Sequence, residues 1–295
     1  MRVNPNPMPD LLAALNQTEL EVQQSELEIS TGKSVNVPSD NPTASALLIE
    51  NNDQATFTGG YLQSLTSVQG QFSTADSTLT SITNSLQQAL SLGVEAGGGT
   101  LSAGDRNAIA VQLQGIQSQL ISLGNTAYEG NYIFAGTATA TAPFVVAANS
   151  PDGVNYVGNT DVNEVAIGSG YKIAVNVPGS QLFSATGNDM FLAVNNLIQA
   201  VQTDTGIPAA VNALSAASTY LASQRVLYGN AMEQATAQTT NLTSQQLQLT
   251  EQQTTLSAAN LPEVATELTQ AQTDEQATLA AMAKLSQDNL FSYLS

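Results

Sequence analysis

Leu214, Leu221, Tyr228, Ala235, Leu242, Leu249 and Leu256 fall at every seventh position. A seven-residue apolar repeat keeps one stripe of a helix turned toward a partner, so this stretch is stable only as one long helix packed on another. A second seam meets the same requirement. Tyr61, Leu65, Val68, Phe72, Ala75, Leu79, Ile82, Leu86 and Ala89 run four heptads without a slip. That helix is expected from about Thr43, weakened at Gly59-Gly60 and stopped by Gly97-Gly98-Gly99. A third helix after Ser102 has Ile109, Leu113, Ile116, Leu120, Leu123 and Ala127 as its seam, and the short glycine join makes the pair antiparallel. A shorter one, Asp189 to Val201, turns Met190 or Phe191, Val194, Leu197 and Val201 to one side.

The two ends carry the same signature more weakly. Met8, Leu11, Leu15, Thr18, Val22, Ser25 and Ile29 alternate three and four apart. Leu261, Val264, Leu268 and Ala271 start a matching seam that skips at Glu275 and resumes through Leu279, Met282, Leu285 and Leu290, with Leu294 beyond. Neither end has enough apolar bulk to hold a helix alone, so the two need each other or other copies of the chain.

Between ends and middle lie two breaks. Ser30 to Pro42 contains Gly32 as a helix stop, Pro38 and Pro42 as helix exclusions, and Asp40 as a candidate cap for a helix starting near Pro42 or Thr43. Asn260-Leu261-Pro262 breaks the heptads at the other end, where the proline permits a helix start or imposes a kink. Gly32-Lys33-Ser34 invites a phosphate-loop reading, but that motif needs a glycine five residues before Gly32, where Leu27 stands.

Near the middle the pattern changes. Gly130-Asn131-Tyr132-Ile133-Phe134-Ala135-Gly136 is a short aromatic, β-branched run of strand type, and a small β region is expected from there to about Gly187. Glu164 to Ile167 and Tyr171 to Val177 alternate with period two around Gly168-Ser169-Gly170, as a hairpin does. Asn159, Asp161 and Asn163 match the first ligands of a calcium loop. Glu164 then stands where the loop needs glycine and Gly170 where it needs glutamate, so a solvated turn is the better reading.

Composition removes most chemistry. With no Cys and no His, thiolate and imidazole metal sites, thiol nucleophiles and Ser-His-Asp triads are excluded. No cofactor is implied. Six Lys and Arg against 24 Asp and Glu, a net charge of −18, leave no basic patch for phosphates, so nucleic acid is not an expected partner. No apolar run is long enough to span a membrane. The first residues, Met1-Arg2-Val3-Asn4-Pro5-Asn6-Pro7-Met8, lack the apolar core of a cleaved signal peptide, so any export is expected by another route.

Heptads alone specify a helical bundle of unstated purpose. The nested order (terminal helix, hinge, long helices, strands, long helices, hinge, terminal helix) narrows the reading. With Met1-Arg2-Val3, Ser30-Thr31-Gly32-Lys33, Pro38-Ser39-Asp40 and Pro42, it resembles the bacterial flagellin superfamily. Asn41 stands where such chains usually have a second Asp. Gly130 to Thr137 with Pro143-Phe144, Tyr156-Val157-Gly158, Ile167 to Gly170, Asn176 to Gly179 with Phe183, and the C-terminal Leu285-Ser286-Gln287 and Leu290 to Leu294 are similar to the superfamily's hook–filament junction branch.

The resemblance implies a mainly α fold with a small β insertion, an elongated rod of long antiparallel coiled-coil-like helices with the terminal helices paired. Residues 1–42 and 257–295 are expected to form a terminal assembly domain with hinges, 43–136 and 187–256 the long-helix domain, and 137–186 the inserted β domain. It further implies a non-enzymatic subunit that leaves the cell through the flagellar type III system and polymerises where hook meets filament. Its partners would be its own copies in a helical assembly, a neighbouring hook-associated protein, flagellin-side junction proteins and an export chaperone. The expected assembly interface is Met8, Leu11, Leu15, Val22, Ile29, Leu261, Val264, Leu268, Leu279, Met282, Leu285, Leu290 and Leu294, with hinges at Gly32, Pro38, Asp40, Pro42, Asn260 and Pro262. Two alternatives stand beside this reading: a filament flagellin, and an extracellular carbohydrate-active or carbohydrate-binding protein using Asp152, Asp161 and Glu164, whose spacing specifies no site.

Overall fold

The computed structural model describes residues 8–293 apart from Thr100 and Ala148, with side chains up to Leu285. Long helices dominate it: α1 (Met8–Thr31), α2 (Pro42–Ala96), α3 (Ala103–Gly124), α5 (Met190–Thr203), α6 (Ile207–Ser257) and α7 (Leu261–Tyr293), with one turn of helix, α4 (Gly179–Leu182). The described residues group into two compact units. One takes its residues from 1–57 and 245–295, the other is Thr58–Ser244.

In Thr58–Ser244 the seams read from sequence are the core. Leu65, Val68, Phe72, Ala75, Leu79, Ile82, Leu86 and Ala89 of α2 are all buried, and so are Leu214, Leu221, Tyr228, Ala235 and Leu242 of α6. The two helices run antiparallel: Gln69 Nε2 donates to Thr239 Oγ1 at 3.2 Å, the Phe72 and Tyr228 rings meet edge to face at 6.0 Å, and Arg225 reaches Asp76 at 2.8 Å. Against them pack α3, through Ile109, Leu113, Ile116 and Leu120, and α5, through Phe191, Val194, Leu197 and Val201. Ser102 caps α3 reciprocally with Asp105, satisfying two otherwise orphan backbone donors, and Asp189 caps α5 through Leu192 N. Ala127, expected to end the α3 seam, is instead exposed in a strand, because the helix closes at Asn125. The Asn125 side-chain amide donates to the Phe144 carbonyl at 2.7 Å and accepts from Phe144 N at 2.8 Å.

The β region is three antiparallel hairpins. They are β1 (Ala127–Tyr128) with β2 (Asn131–Tyr132), β3 (Phe144–Val146) with β4 (Val154–Tyr156), and β5 (Glu164–Gly168) with β6 (Tyr171–Ala174). It closes no core of its own. Phe134, Phe144, Val154, Ile167, Ile173 and Phe183 belong to the same apolar cluster as the helices. Phe144 sits at its centre, 5.0 Å from Phe191, 5.2 Å from Tyr156 and 5.7 Å from Phe183. Gly124 and Gly179 press on it so closely that a Cβ on either would lie 2.9 and 2.8 Å from its ring. Two amides clamp the last hairpin to the helices, Gln71 Nε2 to Val175 O at 3.0 Å and Gln238 Nε2 to Ile167 O at 3.1 Å.

The glycine-framed stretch is therefore not one strand. Glu129 and Gly130, both at positive φ, turn the first hairpin, and Ile133-Phe134-Ala135 then descends into the core. Gly136 turns back at φ +72°, where a Cβ would collide with the Asn159 carbonyl. Asn159, Asp161 and Asn163 serve this frame: Asn159 Oδ1 accepts from Thr137 N at 2.7 Å, Asn163 Nδ2 donates to Gly136 O, and Asp161 O accepts from Asn176 Nδ2.

Candidate assembly interface

Among the described residues no group of three His, Cys, Asp or Glu side chains converges as a metal site requires, and no helix is long and apolar enough to cross a membrane. The features with functional content are apolar residues facing water, and they concentrate in the unit built from the chain ends.

There the two breaks form one joint. Ser34 N donates to Ser257 O at 2.7 Å and Ala259 N to Gly32 O at 3.0 Å, around an antiparallel bridge between Lys33 and Ala258. Gly32 ends α1 at φ +69° with nothing near its missing Cβ, so its backbone conformation is the reason for glycine there. Lys33 is thus part of a backbone tie. Asp40 does not cap α2. Asn41 does, its Oδ1 accepting from Ala44 N at 3.0 Å, with Pro42 as the first helical residue. Asp40 Oδ2 accepts instead from Asn36 N at 2.8 Å and Val37 N at 2.9 Å, closing the loop around the exposed Pro38. Those two bonds, Val37's first, hold its carboxyl below the usual range. At the other break Pro262 sits in the first turn of α7, so no kink forms. Asn260 precedes that turn, its carbonyl accepting from Val264 N and its amide donating to Glu263 Oε2, both at 3.0 Å.

From this joint α1 and α7 leave as an antiparallel pair. On α1, Met8, Leu11, Leu15, Thr18 and Val22 are half-buried and Ser25 is buried, while the positions between them are exposed. On α7, Val264 and Ala271 are buried, and Leu268, Glu275, Thr278, Met282 and Leu285 half-buried. The seam does not skip. It passes through Glu275 and Thr278, because the three-four spacing is set by helix geometry whatever the side chain. Three expected seam residues lie outside it: Leu279 is 47% exposed, Leu261 precedes the stripe and is equally exposed, and Ile29 gives its place to Glu28. Leu290 lies in α7 and Leu294 beyond it, both outside the residues with described side chains.

A second stripe escaped the sequence reading. Leu20 and Leu27, seven apart, lie on the side of α1 turned away from α7, with Leu12 on the flank of the seam, and the three are 61%, 46% and 47% exposed. Their spacing was the signal, outweighed by the denser seam. Val37 of the loop is exposed as well, and so are Leu47 and Ile49 of α2 and Leu247 of α6 in the same unit. These side chains make the terminal unit the candidate for association with other chains. All three ion pairs among the described residues, Arg106–Asp204, Lys172–Glu164 and Arg225–Asp76, lie in Thr58–Ser244.

The chain is similar to several known proteins. Residues 7–139 match the family model described as the bacterial flagellin N-terminal helical region. Flagellar hook-associated protein 3 of Escherichia coli is 30% identical over 190 residues, 60% of this chain. Its Salmonella typhimurium counterpart is 32% identical over 175 residues, 59% of this chain. The matches span 58% and 54% of those relatives' own lengths. Among solved structures, Bacillus cereus FlgL superposes with a TM-score of 0.58 at 20% identity over 70% of this chain and 99% of that one, a likeness of fold.

Proposed function

We propose that this chain is a member of the bacterial flagellin family, whose N-terminal helical region its residues 7–139 match, and that, like the hook-associated protein 3 it resembles, it is a structural subunit polymerising where the flagellar hook meets the filament. The observation that carries this reading is the terminal unit, two chain ends joined as a helix pair with a further leucine stripe, Leu12, Leu20 and Leu27, turned to water. Repeated head-to-tail contacts that never close on themselves need such a surface on every copy. The seam residues Met8, Leu11, Leu15, Val22, Val264, Leu268, Met282 and Leu285 hold the pair together. Ile29, Leu261 and Leu279 join the outer stripe as contacts for neighbours.

The joint at Gly32, Pro38, Asp40, Pro42, Asn260 and Pro262 carries the terminal pair on short backbone ties, and we assign it the role of adapting that pair to differently curved neighbours. Residues 1–42 with 257–295 form the assembly domain in this reading, 43–136 with 187–256 the long-helix domain and 137–186 the insertion. The partners are further copies, a hook-associated protein on the hook side and a flagellin-side junction protein, with an export chaperone before assembly. The chain performs no catalysis and reaches the cell exterior by the flagellar export route. Fluorescent labelling of the chain in flagellated cells tests the proposal: a narrow band between hook and filament is expected, and labelling along the whole filament would make it a flagellin instead.

A further inference from the structure

Between α1 and α7 lies a groove whose walls are acidic and whose floor is small. Glu21 and Glu28 stand on the α1 side, Glu267 and Asp274 on the α7 side, and Ser25 and Ala271 between them. Ser25 is 7% exposed, lines this groove, and its hydroxyl has no hydrogen-bond partner among the described residues, whereas most Ser and Thr hydroxyls along these helices return to the carbonyl four residues back. Gln24 and Gln270 each donate to the carboxylate one turn on, Glu28 and Asp274 at 3.0 Å, which orients those carboxylates and leaves their remaining acceptor sites open.

We propose that this groove receives a Lys or Arg side chain from a cationic amphipathic helix of a different flagellar component. The stem of such a side chain packs on Ala271, its head donates to Ser25 Oγ at the floor, and the carboxylates along the two walls attract its charge. A second copy of this chain is a poor occupant. Of its six basic residues, Arg106, Lys172 and Arg225 are held in ion pairs and Arg2 lies outside the described residues, which leaves Lys33 and Lys284. Both belong to the same acidic terminal unit, so like charges would face each other across a contact between copies. A bare metal ion fits no better, since the carboxylates do not converge. The inference rests on the terminal unit being an assembly surface, and it names the chemistry of one neighbour.

The test uses the full-length chain and two synthetic helical peptides of leucine on one face, with lysine or glutamate on the other. The lysine peptide should bind at low salt and weaken as salt rises, and the glutamate peptide should not bind. Replacing Glu21, Glu28 and Glu267 by Gln and Asp274 by Asn should weaken the lysine peptide at least tenfold, and Ser25→Leu, which fills the floor, should do so without changing net charge. Neutralising four carboxylates of Thr58–Ser244 in the same way (Glu95, Glu129, Asp161, Glu233) should change binding less than twofold. Equal loss in the two fourfold variants, unchanged binding in Ser25→Leu, or no binding at all overturns the proposal. Circular dichroism of each variant confirms that the helix pair persists. If groove variants lose the peptide yet cells still build normal filaments, the groove is real but is not part of the junction, which separates failure of the assembly reading from failure of this one.

Discussion

Replacing Leu20 and Leu27 together by Asp separates holding the terminal pair from using it. Both residues face away from α7, at 61% and 46% exposure, so the free chain loses little. Exposed substitutions outside special contacts cost within about 0.5 kcal/mol each. In an assembly that buries the stripe, the two exposures together amount to about one leucine side chain not yet buried, worth about 1.5–3 kcal/mol per subunit. Losing it weakens association by about tenfold to a hundredfold, and an unpaired carboxylate in the buried contact adds several kcal/mol more. The expected result is a chain whose helix signal at 222 nm and thermal midpoint match the parent within about 2 °C, but which forms no junction, so that cells shed unpolymerised flagellin. Leu268→Asp, on the seam, should instead lower the helix signal of the free chain, because its carboxylate would face α1. Normal filament growth with Leu20→Asp/Leu27→Asp would refute the assignment of the outer stripe, and loss of helix in that variant would refute the assignment of faces.

Phe72→Ala removes a ring that is 1% exposed and packed edge-on against Tyr228, and should destabilise the chain by about 3–5 kcal/mol, read as a lower urea midpoint. Gly136→Ala should cost more than Gly32→Ala although both glycines have positive φ, since only at Gly136 would the new Cβ strike backbone; paired melts check the order. The carboxyl of Asp40 is lowered by its bonds from Val37 and Asn36, so the loop gains stability above the ordinary carboxylate value and loses it as pH falls from about 4 through the lowered one. Proteolysis of 33–41 should accelerate over that acidic range, and Asp40→Ala should remove the dependence. Deleting 137–186 should abolish the cooperative melt of the long helices, because Phe144 and Phe183 belong to their core; an intact transition would show that the insertion is dispensable.

The heptads determined the long helices and most of their core-facing residues, because apolar spacing at three and four commits a helix to one buried face, but the end of α3 fell at Asn125, before the last position of its seam. They determined as well that the ends needed a partner. Which residues of α7 fill the seam was decided by tertiary structure: Glu275 and Thr278 lie in line with Ala271 and Met282, where a search for apolar letters passes over them, and Leu279 attracts the eye while facing water. The same limit hid the outer leucines of α1, since an exposed leucine and a buried one are written alike. The hairpin of β3 and β4 was illegible because its strands are three residues long, and their burial comes from Phe144 meeting α5 far along the chain. Asp40 and Asn41 are equally good caps by type. Only the folded loop, which brings two backbone donors to Asp40, leaves the helix to Asn41.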